Sequence, residues 1–210
     1  MTVINFGFDL RRADPQYFQE VGQVVTIEEK GNDGKANLTL NFKTHPYKKR
    51  IQLLLEHDPW LRYTERAKRC ADGVIIEYDA TSPYAASIYI FELKRTIDFT
   101  KWSKVKTQFE GATLRALSFC TTIGLKPSEI RFHTVFSYDK ILQKEIEILE
   151  AQQRVTGLIA LKSLTGFNNR EVREWNQTTV APIEGSNLRL SHQHIQLQEI
   201  SQTGIGKFDL

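Results

Sequence analysis

Ala71-Asp-Gly-Val-Ile-Ile-Glu-Tyr-Asp79, a turn at Ala80-Thr-Ser-Pro-Tyr84, and Ser87-Ile-Tyr-Ile-Phe-Glu-Leu-Lys-Arg95 decide how this chain reads. Both flanks are rich in β-branched and aromatic residues, and the turn carries Ser and Pro, so the stretch predicts a β-hairpin. With the chain reversing about Ser82, antiparallel pairing sets Val74 opposite Ile90, Ile76 opposite Ile88 and Asp72 opposite Glu92. Side chains alternate faces, so Asp72, Val74 and Ile76 share one side of the sheet with Ile88, Ile90, Glu92 and Lys94. An apolar surface therefore ends in two carboxylates and an ammonium.

Two carboxylates forced together repel, and an apolar surround makes both costly unless a cation lies between them. Hard oxygen ligands, with Cys70 the one softer group nearby in sequence, suit magnesium or manganese better than zinc. Magnesium keeps waters and binds phosphate oxygens, so phosphodiester hydrolysis is the chemistry such a site predicts. Lys94, one pleat past Glu92 on the same face, is placed to lower the pKa of an attacking water or to steady developing negative charge.

C-terminal to the hairpin, Thr100 reads as an N-cap, and Trp102, Val105, Phe109, Ala112 and Ala116 recur at helical spacing over 101–120. Gly124 closes this amphipathic helix. Beside its apolar seam, Lys101, Lys104, Gln108, Gly111 and Arg115 form a stripe. Arg95, Lys101, Lys104 and Arg115 are the candidate nucleic-acid contacts, and a second basic cluster, Arg62, Arg66, Lys68 and Arg69, precedes Asp72. Positive charge on both sides of an acidic pair is the field that draws a polyanion onto a bound metal. Ile130 to Ser137 then alternates as a strand, 140–161 reads as a polar helix, and 187–195 as a last strand.

N-terminal to the hairpin, Asp14-Pro15 signals a helix over 15–21. Residues 23–30 and 36–42 read as a hairpin turning at Gly31-Asn-Asp-Gly34, and 48–56 and 60–68 as helices separated by His57-Asp58-Pro59.

Here the residues reach a resemblance. Asp72, followed by Glu92-Leu93-Lys94 at the end of an apolar strand and then by a helix bearing Gln108, resembles the PD-(D/E)xK nuclease superfamily. The resemblance covers 70–120. It implies an α/β fold with a mixed central sheet flanked by helices, the restriction-endonuclease-like core. It also implies that Asp72 and Glu92 ligate magnesium or manganese with help from the Leu93 carbonyl, that Lys94 is the catalytic lysine, and that Gln108 is the glutamine found on the following helix in some branches. A nucleic-acid substrate, DNA in preference to RNA, follows, as does a homodimer or a helicase or ATPase partner. Ala71 stands where the family often has Pro, and Ala112 where a tyrosine often follows the glutamine. A further carboxylate sometimes comes from the first helix, for which Glu20, Glu56 and Glu65 are the candidates.

The composition agrees with an ordered globular chain and excludes other classes. The 210 residues are 40% hydrophobic and 25% charged, enough for a well-cored fold and too apolar for a disordered chain. Neither repeats nor linkers divide them, which predicts one domain over 1–210, with a motif core at 70–137, an N-terminal hairpin region at 1–44 and a C-terminal extension at 166–210. Apolar runs such as Ile88–Phe91 fall far short of the roughly 20 residues that cross a bilayer, and the N-terminus lacks the pattern of a secretory leader. A cytoplasmic protein off the membrane is expected. Cys70 and Cys120 form no CxxC pair, which removes zinc-ribbon and disulfide-scaffold readings. The net charge of +3 is too small by itself to indicate a polyanionic partner.

Other motifs read as structure. Glu28-Glu29-Lys30 repeats the acidic-x-lysine pattern without a facing acid and reads as solvated strand-end polarity. Asp58-Pro59 reads as a helix-boundary turn. His192-Gln-His194 has same-face spacing without a third ligand and reads as a surface or core histidine pair. The functional reading is a metal-dependent nuclease. The alternatives are a nuclease-like module that binds nucleic acid or assembles a complex without cleaving, and a protein-interaction domain in which Asp72 and Glu92 only pair.

Overall fold

The computed structural model describes residues 7–29, 35–55, 69–144, 146–147, 175, 177–180, 190–200 and 203–210. The expected hairpin is β5 (Gly73–Asp79) and β6 (Ser82–Ile97), with Val74 opposite Ile90 and Ile76 opposite Ile88. β6 runs on past the start of β5. One residue later α1 (Phe99–Ile123) begins, and β7 (Lys126–Asp139) returns parallel to β6.

β1 (Phe18–Val21), β4 (Lys48–Leu53), β8 (Thr179–Val180) and β9 (Leu190–Gln196) extend this unit to a seven-stranded sheet in the order β1-β4-β5-β6-β7-β9-β8. β6, β7 and β9 run parallel and the other pairings are antiparallel, so the sheet is mixed. A second sheet of four strands joins β2 (Val24–Glu28) and β3 (Lys35–Asn41) to β10 (Gln198–Ile200) and β11 (Thr203–Asp209), in the order β10-β11-β3-β2.

Three layers result. α1 covers one face of the large sheet, because Trp102, Val105, Phe109, Ala112, Ala116, Phe119 and Ile123 repeat at helical spacing and all are buried against Val74, Ile76, Ile88, Ile90 and Phe132. Each large side chain among them contributes roughly 1.5–3 kcal/mol by leaving water. The helix starts where the Asp98 carboxylate accepts from the Lys101 N–H at 2.8 Å, two residues before the expected Thr100 cap, and stops at Gly124, whose φ of 81° is the left-handed conformation open to glycine. The opposite face, made of Ile75, Tyr89, Phe91, Leu93, Val135 and Ile195, packs on Val25, Ile27, Leu38 and Leu40 of the second sheet. The expected mixed sheet is thus flanked, among the described residues, by a long helix on one face and by a second sheet on the other.

Two expected helices are also corrected. Only Pro15–Tyr17 forms a helical turn, of the 3-10 type, and Phe18–Val21 is β1. Lys48–Leu53 is β4, held between β1 and β5. The antiparallel pairing with β5 outweighs the helix preference of Lys, Gln and Leu. The 23–30 and 36–42 pairing forms as β2 and β3. The 31–34 turn, the 60–68 helix, Arg62, Arg66, Lys68, Glu56, Glu65, Asp58-Pro59 and the 148–161 part of the later helix lie outside the described residues, while 140–144 and 146–147 are helical. β9 is not the last strand: Leu197 carries the chain from the large sheet into β10 and β11. Among the described residues no helix is long and apolar enough to cross a membrane.

Candidate metal centre at the end of the central hairpin

Glu92 lies on the helix-covered face of β6, two residues past Ile90, and is fully buried. β5 ends at Gly73, opposite Phe91, so beyond it β6 has no partner on that side. Side chains stand in for the strand. Asp72 accepts from the Leu93 N–H at 2.8 Å through Oδ2, and the Lys94 ammonium donates to the Leu93 carbonyl at 3.2 Å. Lys94 also pairs with Glu92 Oε1 in a close ion pair. The other Glu92 oxygen, Oε2, is buried and has no hydrogen-bond partner among the described residues.

These surroundings disfavour the Glu92 charge. Burial is the main cause, the Asp72 carboxylate adds to it, and Lys94 pulls the other way, leaving the Glu92 carboxyl pushed up to about 8. Burial on its own would lower Lys94, but the charges of Glu92, Asp72 and Glu29 outweigh it and hold the ammonium above its ordinary value. Asp72 is half-buried. The carboxylate pair expected from the hairpin register is thus brought together with the lysine at one end of the sheet.

The remaining expected residues divide. Gln108 on α1 donates to the Cys70 carbonyl at 3.4 Å, two residues ahead of Asp72, and so ties the helix to the segment leading into the site. Lys104 is exposed, and Arg95 and Lys101 are half-exposed on the strand end and the first helical turn. Arg115 is corrected: it is buried, with Nη1 donating to the Leu55 carbonyl at 2.9 Å, and so is not on a solvated, phosphate-facing stripe. Gly111 is buried as well, because from Phe109 to Ala116 the helix is covered well beyond its apolar seam. Glu20 is exposed on β1, level with Ile51 and Ile76, four residues along β5 from Asp72, and does not join the pair.

Sequence reasoning missed Glu29. It follows β2, and its charge acts on Lys94. The acidic-x-lysine pattern at 28–30 was its one local sign; what brings it to the site is the packing of one sheet on the other. Ile27, two residues earlier, lies so close to Gly73 that a Cβ there would be 2.5 Å from Ile27 Cδ1.

The histidine pair belongs to the core. His192 is buried, its Nε2 is 2.9 Å from Thr134 Oγ1, and burial foremost holds it down to about 3. The His194 ring stacks on Trp175, with centroids 3.7 Å apart. Among the described residues no group of three or more His, Cys, Asp or Glu side chains gathers to hold a metal ion. The Asp72–Glu92 pair with the Leu93 carbonyl would therefore hold one with two side chains and a main-chain oxygen. The chain matches no protein-family model, no curated protein and no solved structure.

Proposed function

We propose that this chain is a metal-dependent nuclease that hydrolyses phosphodiester bonds, DNA in preference to RNA. The observation that carries the reading is Glu92: a buried carboxylate with one oxygen lacking a hydrogen-bond donor, next to Asp72 and beside a lysine. A buried polar atom of that kind is costly unless something binds it. The donor set is hard and anionic, which fits magnesium or manganese, and the orphaned Oε2 is the position left for such an ion. Asp72, Glu92 and the Leu93 carbonyl would hold it. When bound, it would supply a polarised water and offset the charge that develops on phosphate.

The chain's own residues supply the rest. Lys94 provides a mobile positive charge one pleat from Glu92. Lys101 and Lys104 on the first turns of α1 give the backbone of a nucleic acid a positive surface, with Arg95 at the strand end. Gln108 fixes the approach of the chain to Asp72. The order β5, β6, α1, β7, with the last strand parallel to β6, supports a restriction-endonuclease-like core.

The test is a magnesium and manganese titration with plasmid and single-stranded DNA, repeated with Glu92→Gln and Lys94→Ala. Metal-dependent cleavage lost in both variants is the expected result. A second reading has its own support, since Lys94 already occupies Glu92 Oε1 and the Leu93 carbonyl without a metal. A binding or assembly module on the same fold would then bind DNA in a salt-sensitive way and cleave nothing under any metal.

A further inference from the structure

Lys94 already holds one oxygen proposed for the metal and the neighbour of another, Glu92 Oε2. Glu92 Oε1 and the Leu93 carbonyl oxygen both accept from the Lys94 ammonium. An ammonium and a hard divalent ion select the same acceptors and repel each other, so an ion seated on Glu92 Oε2 that also takes the Leu93 carbonyl competes with Lys94 for that oxygen. The lysine stem is a flexible four-carbon chain, so its charge can move by several ångströms without moving β6.

A second anion is within electrostatic reach. β2 lies directly on the start of β5, with Ile27 against Gly73, and no side chain at Gly73 separates the two sheets there. Glu29 lies just past the end of β2, on the side of the large sheet away from α1, and faces Lys94 past the edge that β6 leaves open beyond Gly73. Both of its carboxylate oxygens are buried, and its charge already acts on Lys94.

We propose that Lys94 is the resident cation of the metal-free site, that metal entry displaces it from Glu92 and the Leu93 carbonyl, and that Glu29 is the carboxylate that receives it. This rests on the metal-dependent reading above and concerns how that same site is switched on. Without metal, the lysine donates to Glu92 and caps the unpaired edge of β6. With metal, the divalent charge holds Glu92 ionised beside Asp72, and the released ammonium keeps a partner. Glu29 is a positioning residue acting through Lys94, not a ligand.

The test uses the full chain and magnesium alone, without nucleic acid. Calorimetric titration reports metal binding, and pulse labelling with an amine-acylating reagent, read by peptide mass spectrometry, reports the state of each lysine. Exposed Lys104 is the internal control. Saturating magnesium is expected to raise labelling of Lys94 several-fold relative to Lys104. Glu29→Gln removes the receiving carboxylate and is expected to enlarge that rise. Glu29→Asp, with a shorter reach, gives an intermediate response and decides the point if the Gln variant does not fold. Unchanged labelling of Lys94 in a protein that binds magnesium overturns the displacement and leaves the nuclease reading standing. Absence of magnesium binding overturns both. Responses of the Glu29 variants equal to that of the unaltered chain overturn the assignment of Glu29.

Discussion

Glu92→Gln is expected to change how the stability of the fold depends on pH. An unfolded glutamate titrates near 4.5, whereas burial beside Asp72 pushes the folded carboxyl up to about 8. Between those values the native protein holds a proton that the unfolded chain has lost. Stability therefore falls as pH rises, by about 1.4 kcal/mol per pH unit for one such group. The contribution is fully present below 4.5 and is lost as pH rises through about 8. From about pH 5 to about pH 7 the loss is on the order of 3 kcal/mol, a large share of a typical domain's stability. Lys94, held above its ordinary value, stays protonated throughout that window. Glutamine has nearly the shape of the protonated acid and no charge to lose, so the variant matches the unaltered chain at the acid end and exceeds it near neutrality. Urea unfolding at three pH values measures the difference for the Glu92 cluster as a unit, Asp72 and Lys94 included, since groups remote from it are common to both proteins. Parallel stability profiles would refute the burial of an ionisable Glu92.

Magnesium binding at neutral pH is expected to expel the Glu92 proton, so the heat of binding measured in buffers of different ionisation enthalpy should differ by about one proton's worth, with affinity rising towards pH 8. Gly73→Val is expected to destabilise by about 1–3 kcal/mol in thermal or urea unfolding, because the new side chain meets Ile27 where the two sheets touch. Arg115→Ala should cost about 1–3 kcal/mol through the orphaned Leu55 carbonyl and leave the salt dependence of DNA binding unchanged. Lys104→Ala should do the reverse, leaving stability within about 0.5 kcal/mol and reducing the slope of log affinity against log salt by about one. A drop in that slope for Arg115→Ala would return its guanidinium to the surface.

The parts of the fold that were legible in the sequence are those specified locally. The hairpin register follows from a reversal about Ser82 and holds from Gly73 opposite Phe91 to Tyr78 opposite Ala86, with the faces of Val74, Ile76, Ile88 and Ile90 in agreement; at the tip a register shift pairs Asp79 with Ser82 instead. The seam of α1 and its stop at Gly124 likewise follow from spacing and from one backbone conformation. The parts that were not legible depend on residues far apart in the chain. β11 joins β3 in parallel, with Phe208 opposite Leu40, and nothing in either segment names the other. The buried guanidinium of Arg50 shows the same dependence in β4, since it is tolerated there through Glu77, at 2.8 Å, and the Phe42 ring beneath it. Arg115 misled because helical spacing gives a residue's rotation about the axis but not what covers that side. Glu29 was passed over because its link to Lys94 crosses between two sheets.

The one-residue joint between β6 and α1 leaves no slack. Glu92 and Lys94 stand near the end of the strand, Asp98 caps the helix immediately after it, and Lys101 and Lys104 occupy the first turns. Lengthening this joint by one residue would turn the helix by about 100°, swinging Lys104 away and driving Trp102 out of the interior. The buried carboxylate with its lysine and the exposed basic turn are thus cast as a single stiff bracket, so in the proposed nuclease the place of cleavage and the place of grip would be set by one strand–helix joint.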